Sequence, residues 1–196
     1  MEHKFKIVLA SSSIRRRRLL EQLCIPFTVA DPGEVETTFG EPEKQAVINA
    51  TAKAKKIAGR IDRGVVIGAD TIVMKEGHVI RKPTDADEAK NILKKLRGGF
   101  HKVITAVAII DASSGRIETD VAETMVHVKD LREDEIDSYL ATGEPFGKAG
   151  GYAIQGIGAL LVDYIQGCFY NVVGLPISKL DGLLKRFDIR ILDQIR

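Results

Sequence analysis

The sequence predicts an α/β fold, because segments of strand character alternate with segments of helical spacing along its 196 residues. The clearest strand is the run 65–73, which is rich in β-branched residues. The clearest helix lies between residues 46 and 58, where apolar side chains recur at helical intervals. No internal repeat, low-complexity segment or linker interrupts the alternation, so we expect a single domain over residues 1–196.

The first elements along the chain are predicted to be a strand, a helix and a short strand. Residues 5–10 are typical of a buried strand, and the three serines that follow can cap a helix. We expect this helix to bury one face, made of Ile14, Leu19, Leu20 and Leu23. A short strand is expected over 27–30, and the polar stretch 31–43, with two prolines and two glycines, predicts a loop.

The second half of the chain continues the same alternation. After the strand at 65–73, Gly77 marks a hairpin turn, and Thr84 is predicted to cap a helix that ends at Gly98. The elements expected after that are strands at 101–110 and 117–128, a short helix at 133–141, a glycine-rich stretch at 148–174 and a last helix opened by Pro176.

The composition is that of a globular protein. Hydrophobic residues make up 44% and charged residues 29%, and 29 basic side chains nearly balance 27 acidic ones. This balance argues against a nucleic-acid-binding tail and a polybasic membrane anchor. Cys24 and Cys168 lack the spacing of a disulfide framework or a zinc site. No apolar run reaches the roughly 18 residues of a membrane span. We therefore expect a cytoplasmic protein that binds neither nucleic acid nor membrane.

Four consecutive arginines, Arg15 to Arg18, fall in the first turns of the first predicted helix. The positive end of the helix dipole disfavours them there unless an anion binds. Free backbone N–H groups, the preceding serine hydroxyls and the guanidinium groups together suit a phosphate. A solvated basic helix face is the alternative, but the position directly after a buried strand favours the phosphate site.

Asp70 interrupts an otherwise apolar strand, where a carboxylate costs free energy unless it is paired or ligates a metal. It is therefore a candidate metal ligand, a candidate general base for water, or both. A carboxylate that only caps the end of the strand is the alternative. Gly68, two residues earlier, leaves room for a close approach of backbone or ligand.

Lys53, Lys82 and Gln155 complete the candidates. Either lysine can contact a phosphate as a point charge, although each taken alone is also typical of a solvated surface. Gln155 lies in the glycine-rich stretch, and its amide can pair with the edge of a base; a polar loop is the alternative. Together these residues predict phosphate chemistry with a divalent ion, but they do not identify the bond that breaks.

Eight short segments, spread over nearly the whole chain, form a recognisable series. They are residues 9–16, 68–71, 82–83, 99–108, 142–145, 148–150, 154–156 and 173–176. Taken in this order, they resemble the Maf family of nucleotide pyrophosphatases. The resemblance implies an elongated mixed sheet flanked by helices, with a central cleft between two lobes, similar to inosine triphosphate pyrophosphatases. It also implies hydrolysis of a nucleoside triphosphate to the monophosphate and pyrophosphate with Mg²⁺, Mn²⁺ or Co²⁺, and it suggests a homodimer.

The resemblance also assigns roles to individual positions. Asp70 is the implied proton acceptor and, with Glu34, an implied metal ligand. The residues implied to bind substrate phosphates are Ser11, Arg15, Arg16, Lys53 and Lys82. At Arg15, Thr71 and Gln155 this chain resembles the subgroup that acts on dTTP and UTP. The subgroup that prefers 7-methyl-GTP carries different residues at these positions.

Two residues depart from the family pattern. Ile14 stands where the family usually has Pro, and Gly147 stands where it usually has Asp. The first change predicts a less rigid phosphate cradle and the second a change in activity or metal preference.

Two alternative functions stay open. One alternative is the same reaction on 7-methyl-GTP or another nucleotide. The other is a non-catalytic regulator of cell division that binds nucleotides through the arginines.

Overall fold

The structure, a computed structural model, describes residues 6–38 and 40–194. The described strands are β1 (Ile7–Ala10), β2 (Thr28–Ala30), β3 (Val65–Lys75), β4 (His78–Ile80), β5 (Phe100–Asp111), β6 (Ile117–Val128) and β7 (Val162–Gln166). The described α-helices are α1 (Ile14–Gln22), α2 (Pro42–Ala58), α3 (Ala86–Leu96), α4 (Glu133–Ala141), α5 (Phe169–Val173) and α6 (Ile177–Lys185). Short 3₁₀ helices lie at Ala149–Gly151, Ile157–Leu160 and Ile191–Gln194. Phe5, predicted to begin the first strand, lies outside the described residues.

The strands form one mixed sheet in the order β2-β1-β3-β5-β6-β7, with β4 paired to β3. β1 is parallel to both its neighbours, so that Leu9 lies opposite Val29 of β2 and Ile67 of β3. β4 is antiparallel to β3, and β7 is antiparallel to β6. Every residue of β1 is buried, as expected for a parallel strand covered on both faces. The predicted α/β class, with a mixed sheet flanked by helices, is therefore confirmed.

The described chain divides into two compact units. The first unit takes its residues from the segments 1–70, 105–122 and 174–196, and the second from 71–104 and 123–173. Fully buried aliphatic side chains of the first unit include Leu9, Leu19, Leu20, Ile57, Ile67 and Leu180. The core of the second unit includes Leu93, Leu96, Val103, Val126, Ile136 and Leu161. The assignment of residues 1–196 to a single domain stays a prediction.

The structure corrects two expectations about helix ends. Ile14, expected on the buried face of α1, is 66% exposed, because it is the first helical residue and only Leu19 and Leu20 of this helix are buried. The N-cap of α3 is Asp85 rather than Thr84. Asp85 accepts a hydrogen bond from the Glu88 backbone N–H at 2.8 Å, and Thr84 instead donates its backbone N–H to the Glu88 carboxylate, also at 2.8 Å.

No helix among residues 6–38 and 40–194 combines the length and the apolar character that crossing a membrane requires.

Candidate functional site

A stripe of polar side chains runs along one buried face of α2 in the first unit. Gln45, Asn49 and Lys53 follow one another at four-residue intervals, so they lie on the same side of the helix. They are only 8%, 2% and 7% exposed. Buried polar groups are costly without partners, so this face must meet other polar groups. Lys53 is therefore not the solvated surface lysine that the sequence left as an alternative, whereas Lys55 and Lys56 of the same helix are exposed.

Gly68 lets α2 approach β3 closely enough for these contacts to form. A Cβ atom built on Gly68 would lie 2.2 Å from the backbone oxygen of Ala50 and 3.0 Å from the Cβ atom of Ala54. Side chains alternate along a strand, so Gly68 and Asp70 lie on the same face of β3. The missing side chain at Gly68 therefore brings the polar stripe of α2 within hydrogen-bonding distance of Asp70.

Asp70 is a buried carboxylate, 6% exposed, whose two oxygens both accept hydrogen bonds from α2. Lys53 Nζ lies 2.7 Å from Asp70 Oδ1, and Asn49 Nδ2 lies 3.1 Å from Oδ2. Charge-assisted bonds of this kind compensate part of the cost of removing the two ions from water. The carboxylate is thus held in one orientation by two groups that are themselves buried.

The loop between β2 and α2 brings a second carboxylate to Lys53. Glu36 Oε1 accepts a hydrogen bond from Lys53 Nζ at 2.7 Å, so this lysine bridges Glu36 and Asp70. Sequence reasoning missed Glu36 and selected Glu34, which lies two residues earlier and is exposed. The assignment of Glu34 to a metal stays a prediction. The side chain of Glu36 is itself 47% exposed, so one side of this cluster is open to solvent.

The serine–arginine segment lies at the start of α1 in the same unit. Ser13 is the N-cap, and its hydroxyl accepts a hydrogen bond from the Arg16 backbone N–H at 3.4 Å. Buried Ser11 accepts one from the Ser13 backbone N–H at 3.1 Å. The prediction that these serines cap a helix is therefore confirmed. Arg17 and Arg18 are exposed, and Arg17 pairs with Glu21 at 2.8 Å, so this half of the run is a solvated face.

Arg16 belongs electrostatically to the cluster around Asp70. Its Nε donates to the backbone oxygen of Gly174 at 2.8 Å, which fixes the plane of the guanidinium group. Burial lowers the pKa of Arg16, and the positive charge of Arg15 lowers it further, whereas Asp70 and Glu36 raise it. An arginine stays protonated at physiological pH even so. The first unit therefore combines Arg15, Arg16 and Lys53 with two carboxylates.

The other predicted site residues belong to the second unit. Thr71 and Gln155 are half-buried, and Lys82 is exposed. Gln155 precedes Gly156, whose φ of +86° is a left-handed value that suits glycine. The Glu144 carboxylate accepts a hydrogen bond from the Gly158 backbone N–H at 2.8 Å and so holds this turn.

Lys148, which belongs to the same glycine-rich stretch, donates to two backbone oxygens. Its Nζ contacts the carbonyl groups of Glu144 and Phe146. Gly147, which lies between Phe146 and Lys148, has a φ of +72°. Lys148 thus supports the loop even though the family's usual Asp is missing at position 147.

The oxygen donors present suit a hard divalent cation. Among the described residues, no group of three or more His, Cys, Asp and Glu side chains could hold a metal ion. Asp70 and Glu36 share Lys53, however, and supply carboxylate oxygens, which Mg²⁺ prefers. Mg²⁺ is commonly bound by one or two carboxylates with water and substrate phosphates completing its shell. The pair fits a metal of this kind and not a closed protein cage.

Comparisons with known proteins show the family to which the chain belongs. The sequence profile of the family described as "Maf-like protein" matches residues 6–187. A protein of Pelotomaculum thermopropionicum named dTTP/UTP pyrophosphatase is 45% identical, with 95% of this chain and 99% of that protein covered. Proteins of the same name from Dictyoglomus thermophilum and a Thermoanaerobacter species are 42% and 46% identical, with 96% and 95% of this chain and all of each relative covered.

One solved structure supports the fold alone. The Staphylococcus aureus Ham1 protein superposes with a TM-score of 0.50 at 13% identity, covering 93% of this chain and 97% of that chain.

Proposed function

Because the chain belongs to the Maf-like protein family, we propose that it is a nucleoside triphosphate pyrophosphatase that hydrolyses dTTP and UTP to the monophosphate and pyrophosphate. The observation that carries the proposal is the buried Asp70 carboxylate, held by Lys53 and Asn49 at 2.7 and 3.1 Å. It occurs in a chain that aligns over 95% of its length with relatives named dTTP/UTP pyrophosphatase. A cytoplasmic location, a homodimer and the absence of nucleic-acid and membrane partners belong to the same proposal.

The proposed reaction is an attack of water on the α phosphorus. A bond forms from the water oxygen to this phosphorus, and the bond to the oxygen that bridges the α and β phosphates breaks. The bridging oxygen leaves with the electron pair as part of pyrophosphate, and Asp70 accepts the proton of the water. Each carboxylate oxygen has a second lone pair, so Asp70 can accept this proton while it keeps its bonds to α2.

Negative charge increases on the phosphate oxygens and on the leaving pyrophosphate as the bond breaks. Fixed cations stabilise that charge without having to reorganise. We assign this role to Arg15, Arg16, Lys53 and Lys82. The N-terminus of α1 and Ser11 add backbone N–H and hydroxyl groups suited to phosphate.

The proposal includes a divalent metal, Mg²⁺, Mn²⁺ or Co²⁺. Asp70 would hold it together with Glu36, whose carboxylate lies on the other side of Lys53. Glu34 is the ligand that the resemblance implied, and it remains a candidate. When bound, the ion supplies positive charge to the phosphate oxygens and orients the chain of phosphates.

We assign recognition of the nucleobase of the substrate to Arg15, Thr71 and Gln155. The Gln155 amide offers one donor group and one acceptor, which matches the edge of uracil or thymine. A guanine or 7-methylguanine edge presents a different pattern of donors and acceptors. Together with the names of the relatives, this match makes dTTP and UTP the expected substrates.

The test is pyrophosphate release from dTTP, UTP, CTP, GTP, 7-methyl-GTP and ATP with Mg²⁺ or Mn²⁺, for the wild type and Asp70→Asn. Asp120→Asn is the matched control, because Asp120 also pairs with a lysine of the first unit, Lys179, at 3.1 Å. We expect turnover of dTTP and UTP that depends on the metal, is lost in Asp70→Asn and survives in Asp120→Asn.

Other outcomes separate the alternatives. Preferred turnover of 7-methyl-GTP or GTP would keep the reaction but overturn the pyrimidine assignment. Full activity of Asp70→Asn would remove Asp70 from the chemistry. No turnover of any nucleotide, combined with tight nucleotide binding, would support a non-catalytic role.

A further inference from the structure

Asn49 uses all the hydrogen-bonding capacity of its buried amide. It donates to Asp70 Oδ2 at 3.1 Å and to the backbone oxygen of Thr37 at 3.2 Å. It accepts from the Thr37 backbone N–H at 2.8 Å and from the Thr37 hydroxyl at 3.2 Å. A side-chain amide has two donor hydrogens and two acceptor lone pairs, and every one of them has a partner here. The donor and acceptor ends cannot be exchanged, because a carboxylate only accepts and a backbone N–H only donates.

These bonds make Asn49 the link between Asp70 and the loop that carries Glu36. Thr37 is held through both its backbone groups, and Glu36, the residue before it, is held by Lys53 one helical turn further along α2. Gln45, one turn in the other direction, also donates to the Thr37 oxygen, at 2.9 Å. The loop is therefore attached at three successive turns of α2.

The stability of the helix does not explain asparagine at this position. Asparagine has a lower helix propensity than alanine or leucine, and burying its amide costs free energy unless each group is bonded. The buried residues on either side of it along α2 include Ala46, Ala50 and Ala54. A leucine at position 49 would have nearly the same size and none of these polar requirements.

We infer that Asn49 is a positioning residue for the proposed hydrolysis: it fixes the orientation of the Asp70 carboxylate and ties the Glu36 loop to it. The inference rests on the proposed role of Asp70 as proton acceptor. Asn49 acts through its hydrogen bonds to Asp70 and to the loop, and the inference gives it no contact of its own with the substrate.

The first test compares Asn49→Leu with Gln45→Met, which removes a bond to the loop but leaves Asp70 untouched. We expect kcat for dTTP to fall roughly 10- to 100-fold in Asn49→Leu, with KM changed by less than about threefold, because a misplaced base slows the chemical step. In Gln45→Met we expect kcat to stay within about threefold of the wild type. Asn49→Ser, which adds no bulk, gives a second variant in case Asn49→Leu does not fold.

A double-mutant cycle distinguishes action through Asp70 from a general effect on the fold. In the Asp70→Asn background, Asn49→Leu should cause no further loss of the residual rate. A folded Asn49→Leu with unchanged kcat, an equal fall in Gln45→Met, or an additive loss in the Asp70→Asn background would each overturn the inference. Full activity of Asp70→Asn would instead show that the proposed function has the wrong proton acceptor.

A second readout needs neither metal nor substrate. Asn49 is bonded to the Thr37 amide, whereas Gln45 is bonded to the Thr37 carbonyl. Hydrogen exchange of the Thr37 amide should therefore accelerate in Asn49→Leu and change little in Gln45→Met. Equal acceleration in the two variants would contradict a specific role for Asn49.

Discussion

Replacing Gly68 with alanine should separate α2 from β3 and disturb Asp70 without changing any polar group. The new Cβ atom would lie 2.2 Å from the Ala50 backbone oxygen, whereas ordinary contacts between such atoms are longer than about 3 Å. The helix must therefore move away by about 1 Å or more. Overpacking of this kind costs about 1–3 kcal/mol, which lowers the Tm of a chain of this length by roughly 2 to 12 °C.

The same movement should slow the reaction. The hydrogen bonds from Lys53 and Asn49 to Asp70, now 2.7 and 3.1 Å long, would stretch towards about 4 Å, beyond the normal range. Misplacement of a reacting group by 1 Å can cost about 100-fold in rate, so we expect a fall in kcat approaching that size. Thermal unfolding and the initial rate of pyrophosphate release from dTTP measure the two effects on the same sample.

Gly182→Ala is the matched control for this substitution. Gly182 lies within α6, and a Cβ atom there would meet nothing within 4 Å. Alanine in place of glycine within a helix stabilises by about 1 kcal/mol, so this control should raise Tm and leave kcat unchanged. If Gly68→Ala also raises Tm and leaves kcat unchanged, the close approach of α2 to β3 does not position Asp70.

Three further predictions concern other parts of the molecule. Burial and, to a lesser extent, Lys75 lower the pKa of His101 from 6.5 to about 4, so the unfolded chain protonates first as pH falls. Stability should therefore be lost between pH 6.5 and 4, by up to about 3 kcal/mol, and urea unfolding of His101→Phe should lack this contribution. Gly147→Asp should lower the free energy of unfolding by about 1 kcal/mol, since only its left-handed conformation opposes a side chain; a much larger loss in denaturant titration would contradict this. Arg16→Lys cannot keep both the bond to the Gly174 oxygen and a planar phosphate contact, so kcat/KM should fall roughly 10- to 100-fold; an unchanged value would exclude Arg16 from the site.

Elements with a strong local signal were predictable from the sequence. The helix expected over 133–141 matches α4, and the strands expected at 101–110 and 117–128 match β5 and β6 within one residue. Amphipathic spacing, turn glycines and β-branched runs act over a few residues, so the chain reveals them without tertiary information. Asp70 was identifiable for the same reason, since a lone carboxylate in an apolar strand needs a partner.

The partners of Asp70 were not predictable, because they are separated from it in sequence. Asn49 is 21 residues away from Asp70, and Glu36 is 17 residues away from Lys53. The repeat of polar residues at 45, 49 and 53 indicates a polar stripe, but it becomes meaningful only once Asp70 is known to face it. In the arginine run, helix geometry divides neighbouring residues. An α-helix turns 100° per residue, so four consecutive side chains cannot all face one site, and Arg17 and Arg18 are solvated.

The buried ion pair at the centre of the first unit is better explained by chemistry than by stability. The side chains of Lys53 and Asp70 are each only 8% exposed, and removing such ions from water costs several kcal/mol apiece. Apolar residues of similar size in place of a buried ion pair are often as stable or more so. The neighbouring buried positions of α2, Ala46, Ala50 and Ala54, show that this helix packs well with small apolar side chains. In the proposed reaction the fixed Asp70 carboxylate accepts a proton and the fixed Lys53 cation stabilises charge on the phosphates, so the proposal accounts for a pair that stability alone does not explain.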